Sequence, residues 1–171
     1  MEQGPEKPVV YLGADPGRWK TALAVVARYP EHYRVLQVEA VDNAHLVERA
    51  LELVSLYGVS RAVVERTSRG PWKRQVPKRE LAEIAALGQA LTKALEGAGV
   101  PVDRPLPSRA NPWYGPDAPG WRQALTGLLR PTERDVMAVL KALAHEGRLT
   151  GPVPFHPHIA DAIGMVVAAR A

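Results

Sequence analysis

The chain has no cysteine, which excludes disulfides and thiolate-bound zinc. It also has no apolar run approaching the roughly 18–20 residues that a membrane span needs. The opening Met1-Glu2-Gln3-Gly4-Pro5 lacks both a basic segment and an apolar core, so no secretory signal is expected. A cytoplasmic location and no membrane partner follow as expectations. There is no internal repeat and no low-complexity tract. With 171 residues, 46% of them hydrophobic, the chain can bury a real core.

Acidic residues are absent from one stretch in particular. From Arg66 to Arg79 run six basic residues, Arg66, Arg69, Lys73, Arg74, Lys78 and Arg79, with no Asp or Glu among them. The net charge of +4 suits a polyanionic partner. The basic run is either a solvated loop and helix start or a surface for a phosphate backbone. Its start directly after Glu65 favours the second. Trp72 lies within the run, where its ring can anchor packing or stack on an unpaired base.

Residues 1–8 read as a loose polar tail, and 9–171 as one domain. Apolar runs predict strands near 9–14, 21–28 and 33–40. Asp42 is placed to cap a helix over 43–57, with Leu46, Ala50, Leu53, Val54 and Tyr57 on one stripe. A buried strand ends at Glu65, a long helix spans 78–98, and Val100-Pro101-Val102 reads as a short strand. Residues 103–121 hold five prolines together with Trp113, Tyr114 and Trp121, and read as an irregular loop. Thr132 with Asp135 resembles a cap for a helix over 133–146. A last helix spans 157–170. A three-stranded meander followed by alternating helices and strands predicts an α/β fold with a mixed five-stranded sheet covered on both faces.

Three carboxylates stand at element ends. Asp15 follows an apolar strand and precedes a Pro-Gly turn; Glu65 ends another strand; Asp161 lies in the first turn of the last helix. His158, three residues earlier, shares a helix face with Asp161. Taken singly, Asp15 is a turn former, Glu65 a charged strand end, Asp161 a residue favoured by the helix dipole, and His158 a helix-start residue. Taken together they suit a divalent-metal site, with carboxylate oxygens expected within about 8 Å of one another. His156-Pro157-His158 with Asp161 also leaves a zinc site open.

In their order and spacing these segments resemble the RuvC family of Holliday junction resolvases, of the RNase H-like superfamily. The resemblance runs over about residues 9–170. It rests on Leu12-Gly13-Ala14-Asp15-Pro16-Gly17, Val63-Val64-Glu65, Leu87-Gly88-Gln89-Ala90, Trp121-Arg122-Gln123-Ala124-Leu125-Thr126-Gly127 and His158-Ile159-Ala160-Asp161-Ala162. It implies an RNase H-like fold and cleavage of branched DNA, four-way junctions above all, with two Mg²⁺ or Mn²⁺ ions per site. It implies Asp15, Glu65, His158 and Asp161 as catalytic metal-site residues, with Arg122 near the scissile phosphate. The family's second basic residue has no clean match: counting from Gly127 lands on Glu133, with Arg130 and Arg134 nearby. It also implies a homodimer. The small residues Ala85, Ala86 and Gly88 on the long helix would allow close helix approach. No branch-migration partner can be named from the sequence.

The family often places an aromatic residue shortly after the second carboxylate, to open the junction. Here that stretch reads Arg66-Thr67-Ser68-Arg69. Alternative readings are a related nuclease of the pre-16S rRNA processing type, acting on structured RNA, and a DNA-binding relative without activity. An actin-like phosphotransferase would need two lobes, for which the chain is too short.

Overall fold

The computed structural model describes residues 7–67, 77–107, 120–152 and 156–169. Strands β1 (Val9–Asp15), β2 (Lys20–Arg28) and β3 (Tyr33–Asp42) form the antiparallel meander. A 3₁₀ turn, Asn43–His45, leads into α1 (Leu46–Tyr57), and β4 (Arg61–Val64) follows. Then come α2 (Lys78–Gly97), β5 (Val102–Asp103), α3 (Trp121–Thr126), α4 (Glu133–His145), β6 (Leu149–Thr150) and α5 (Pro157–Ala168).

Among the described residues the sheet has six strands, in the order β5-β4-β1-β2-β3-β6. β4 runs parallel to β1, β5 parallel to β4, and β6 parallel to β3. The sixth strand was not expected from the sequence. It is two residues long, too short to carry a period, and it exists because Leu149 and Thr150 pair with Tyr33 and Arg34. The short strand expected at 100–102 lies at Val102–Asp103, leaving Pro101 just outside it.

Strand alternation divides the core into two layers. Tyr11, Val63, Ala22, Ala24 and Val26 face α3, α4 and α5, where Trp121, Val136, Leu140, Ile163 and Met165 are buried. Leu12, Ala14, Ala62, Val64, Leu23 and Val25 face α1 and α2, where Leu46, Ala50, Leu53, Leu91 and Leu95 are buried. Central β1 is covered on both sides, which explains its unbroken apolar run.

Two local expectations change. Asp42 makes no side-chain cap; the helix begins instead with the 3₁₀ turn at Asn43. The loop expected to reach residue 121 gives way to a helix at Trp121, a six-residue element with no apolar stripe to betray it. Gly120 N–H donates to Gln123 Oε1 at 2.9 Å, and Trp121 anchors the turn in the core. By contrast, Thr132 caps α4 as its spacing with Asp135 predicts, each backbone N–H donating to the other's side chain.

The small-residue face expected on α2 is partly filled from within the chain. A Cβ on Gly88 would lie 2.6 Å from Arg104 Nη2, so that position abuts the chain's own guanidinium. Ala85 is half-buried, and Ala82, Ala86 and Ala90 are exposed.

Candidate metal centre

Asp15 and Glu65 are brought together by strand pairing. β1 and β4 are parallel neighbours with Ala14 opposite Val64, and Glu65 N–H donates to Ala14 C=O at 3.0 Å. Both carboxylates thus leave the same end of the sheet. By alternation they share the face of Gly13 and Val63, the face that α5 covers.

Gly13 lets α5 come close. A Cβ there would lie 2.2 Å from the Ala162 carbonyl oxygen, so the helix backbone packs directly on β1. The contact sets the first turn of α5 over Asp15. One ligand atom each from Asp15, His158 and Asp161 lie within 4.8 Å of one another. Asp15 and Asp161 are buried, whereas His158 is exposed. His158 Nδ1 meets Asp15 Oδ2 at 3.1 Å.

Glu65 is not in that tightest group, but its charge feels both aspartates. Its Oε2 accepts from the Trp121 indole N–H at 2.8 Å. Trp121 in turn packs on α5 at Gly164, where a Cβ would lie 2.8 Å from the ring. Arg122 Nη2 donates to Asp161 Oδ2 at 2.5 Å. Asp161 Oδ1 and Arg122 Nε are buried without a partner among the described residues.

The cluster holds more negative charge than it neutralises. Burial, then the neighbouring Asp15 charge, pushes the Glu65 carboxyl up to about 8. Burial pushes Asp161 up to about 6, against the pull of Arg122. The hydrogen bond to Asp15 raises His158. Burial works against the Arg122 charge, yet Asp161 outweighs it and the guanidinium is raised.

The shifts of Glu65, Asp161 and His158 point one way for stability. A carboxyl or imidazole whose folded pKa is raised binds its proton more tightly in the native state than in the unfolded chain. The associated stability is present at low pH and is lost as pH rises, here between about 4 and about 8 for the two carboxyls. Thermal melts in EDTA should therefore fall across that window. Adding Mg²⁺ or Mn²⁺ should restore more stability at pH 8 than at pH 5, because cation binding requires the deprotonated carboxylates. A melting temperature independent of pH and of added cation would contradict this.

His156 takes a structural part: its Nδ1 accepts from His158 N–H at 3.3 Å and caps α5. Among the described residues it stands outside the group whose ligand atoms converge. Among the basic residues, Arg122 is in the site. Arg66 is exposed, one residue beyond Glu65, with its N–H donating to Pro105 C=O. Lys78 is exposed at the first residue of α2. The charge of Glu133 reaches Arg122, His158 and Asp161, which sets the first turn of α4 at the rim. Arg130 and Arg134 are exposed in the adjoining chain. Arg69, Trp72, Lys73 and Arg74 lie outside the described residues.

Two residues escaped the sequence reading. Trp121 stood there only as part of a motif, and its role in holding Glu65 depends on a contact across 56 positions. Arg104 lies against Gly88 and donates to the Glu65 carbonyl at 3.4 Å, with its Nε buried and unpartnered among the described residues. Burial, then the adjacent Arg66 charge, lowers it. No sequence signal marks a lone Arg after a short edge strand.

No protein-family model and no curated protein sequence matches the chain. Solved structures do. Thermus thermophilus RuvC in complex with a Holliday junction substrate aligns with a TM-score of 0.70 at 23% identity, over 94% of this chain and 92% of that one. The yeast mitochondrial Holliday junction resolvase aligns with a TM-score of 0.57 at 11% identity, over 96% of this chain and 79% of that one. The human cytomegalovirus terminase nuclease domain aligns with a TM-score of 0.50 at 11% identity, over 94% and 81%. The mixed sheet, its strand directions and its overlap with these chains give this protein the fold seen in the RuvC resolvase structure.

Proposed function

We propose that the protein is a divergent RuvC-like, metal-dependent endonuclease that cuts branched DNA, with the Holliday junction as its foremost substrate. The observation that carries this reading is the cluster at the sheet end. Asp15, His158 and Asp161 offer ligand atoms within 4.8 Å of one another, and one buried oxygen, Asp161 Oδ1, has no partner among the described residues. An orphaned carboxylate oxygen beside two oxygen- or nitrogen-bearing ligands fits a hard divalent cation such as Mg²⁺ or Mn²⁺. The Holliday junction held by the structurally similar Thermus thermophilus RuvC supports a DNA partner.

In this proposal Asp15, Asp161, Glu65 and His158 would hold the ions, and the chemistry a bound pair would supply is activation of water and stabilisation of the leaving oxygen of a phosphodiester. The protein's own groups do the rest. The Trp121 indole N–H donates to Glu65 Oε2 and so holds that carboxylate in place. Asp15 and His158 hold each other in place, the ring on the exposed side where solvent enters. Arg122 sets a permanent positive charge beside Asp161, suited to an incoming phosphate. Arg66, Lys78, Arg130 and Arg134 are exposed cations for the flanking backbone, continued by Arg69, Lys73 and Arg74 in the sequence. Symmetric cutting of two strands requires two such sites, which a twofold homodimer supplies.

The deciding experiment is incubation with labelled four-way junction, flap, duplex and structured RNA, with and without Mg²⁺ or Mn²⁺. Metal-dependent cutting of the junction in preference to the duplex is the expected result. Cutting of RNA alone would transfer the reading to an RNA-processing nuclease. No cutting of any substrate would leave a binding protein. Binding carries its own check. A Lys73→Ala, Arg74→Ala double variant should reduce the slope of log affinity against log salt by about 1.8, at about 0.9 per lost phosphate contact. An unaltered slope would put this run outside the interface.

A further inference from the structure

We propose that Trp19 is a stacking platform for an unpaired nucleobase of the strand whose phosphate enters the acidic site. The inference rests on the nuclease reading for the identity of that strand, but its observations are separate. Trp19 is 71% exposed, the one exposed Trp, Tyr or Phe among the described residues. It sits at the mouth of the β1–β2 hairpin, four residues beyond Asp15. Four residues of extended chain span at most about 14 Å, so the ring is within a few nucleotides of the site.

An exposed tryptophan on a loose loop would mean little, since isolated apolar residues are common on surfaces. This loop is fastened. Asn43 Nδ2 donates to the Gly17 carbonyl at 2.8 Å and to the Arg18 carbonyl at 3.0 Å. Asn43 N–H donates to the Trp19 carbonyl at 3.0 Å. Thr21, fully buried, donates from its hydroxyl to Asn43 Oδ1 at 2.8 Å and fixes that amide. Three successive carbonyls are thus tied by one residue, two by the Asn43 side chain and one by its backbone N–H, and the turn that presents the indole has little freedom.

The ring is dressed as well as held. The Arg18 guanidinium carbon lies 4.7 Å from its centroid, and Arg18 Nη2 pairs with Glu80 Oε1 at 2.7 Å, on the first turn of α2. Arg18 covers one face of the indole, and the high exposure leaves the other to solvent. A flat π-surface backed by a cation, beside an acidic cluster suited to phosphodiester chemistry, matches a base that has left its stack. A hydrophobic partner protein is a poorer occupant, because Arg18 and Lys20 flank the ring and are both exposed.

The test is equilibrium binding, in EDTA so that no strand is cut, of a four-way DNA junction carrying 2-aminopurine at its crossover nucleotides. The wild type should quench the probe on binding. Trp19→Ala should lose the quenching and bind about 5- to 150-fold more weakly, the span expected for one base–aromatic stack. Trp19→Phe should keep most of both. Equal affinity and quenching in the wild type and Trp19→Ala, at equal melting temperature, would overturn the proposal. A parallel cleavage assay with Mg²⁺ separates the two readings. A wild type that cuts nothing but shows Trp19-dependent quenching refutes the nuclease and keeps the platform. A wild type that cuts, with Trp19→Ala indistinguishable in binding and quenching, does the reverse.

Discussion

Asp15→Asn is expected to lower DNA cleavage by about a thousandfold or more and to leave junction affinity within a few-fold of wild type. The change removes one of two buried aspartates whose ligand atoms lie within 4.8 Å of each other and of His158. Charge stabilisation by a bound cation is worth several kcal/mol in such reactions, and each 1.36 kcal/mol is a factor of ten in rate. The exposed cations that would hold the DNA backbone are untouched. A second readout needs no substrate. The Asp15 charge helps to raise the Glu65 carboxyl, so the variant should lower that titration from about 8. Normal turnover in Asp15→Asn would sink the metal-centre assignment.

Gly13→Ala is the second large effect, this time on the fold. The new methyl would meet the Ala162 carbonyl oxygen at 2.2 Å and Val166 Cγ2 at 3.0 Å. The first partner is helix backbone and cannot rotate away, so α5 must shift off β1. Overpacking of this kind costs roughly 1–3 kcal/mol. At about 2–4 °C per kcal/mol for a chain of this size, the melting temperature should fall by roughly 2–12 °C. Activity should fall further than stability, because His158 and Asp161 ride on the displaced helix while Asp15 stays on the strand. Calorimetry and a cleavage assay on the same preparation would check both. A variant with wild-type melting and wild-type rate would show that the close packing of α5 on β1 does not position the site.

The stripes and strand runs that predicted the core worked because each is a local pattern with one physical reading. Leu46, Ala50 and Leu53 repeat at helical spacing and are all fully buried. The Ala-Val-Val run of β4 is apolar throughout because helices cover both its faces. What failed was short or held by distant contacts. β6 has two residues, and its partner strand lies more than a hundred positions earlier. α3 depends on Trp121 finding Gly164 and Glu65. Gly88, which reads as a place for another helix, is filled by Arg104 from beyond the helix end.

The sequence by itself determined the class of the fold, since alternating apolar periods and their order leave few ways to build a sheet. It also determined which carboxylates stand at element ends, because turn residues and caps act over a few positions. The tertiary structure alone decided which of those ends meet. The pairing of β1 with β4 sets Glu65 beside Asp15, and the absent side chain at Gly13 lets α5 carry Asp161 and His158 over them. It also decided that Trp121, Arg122 and Arg104 tend the cluster and that Trp19 is held out from the fold. These are contacts between residues distant in the chain, and their energy depends on close packing and burial that no local pattern records.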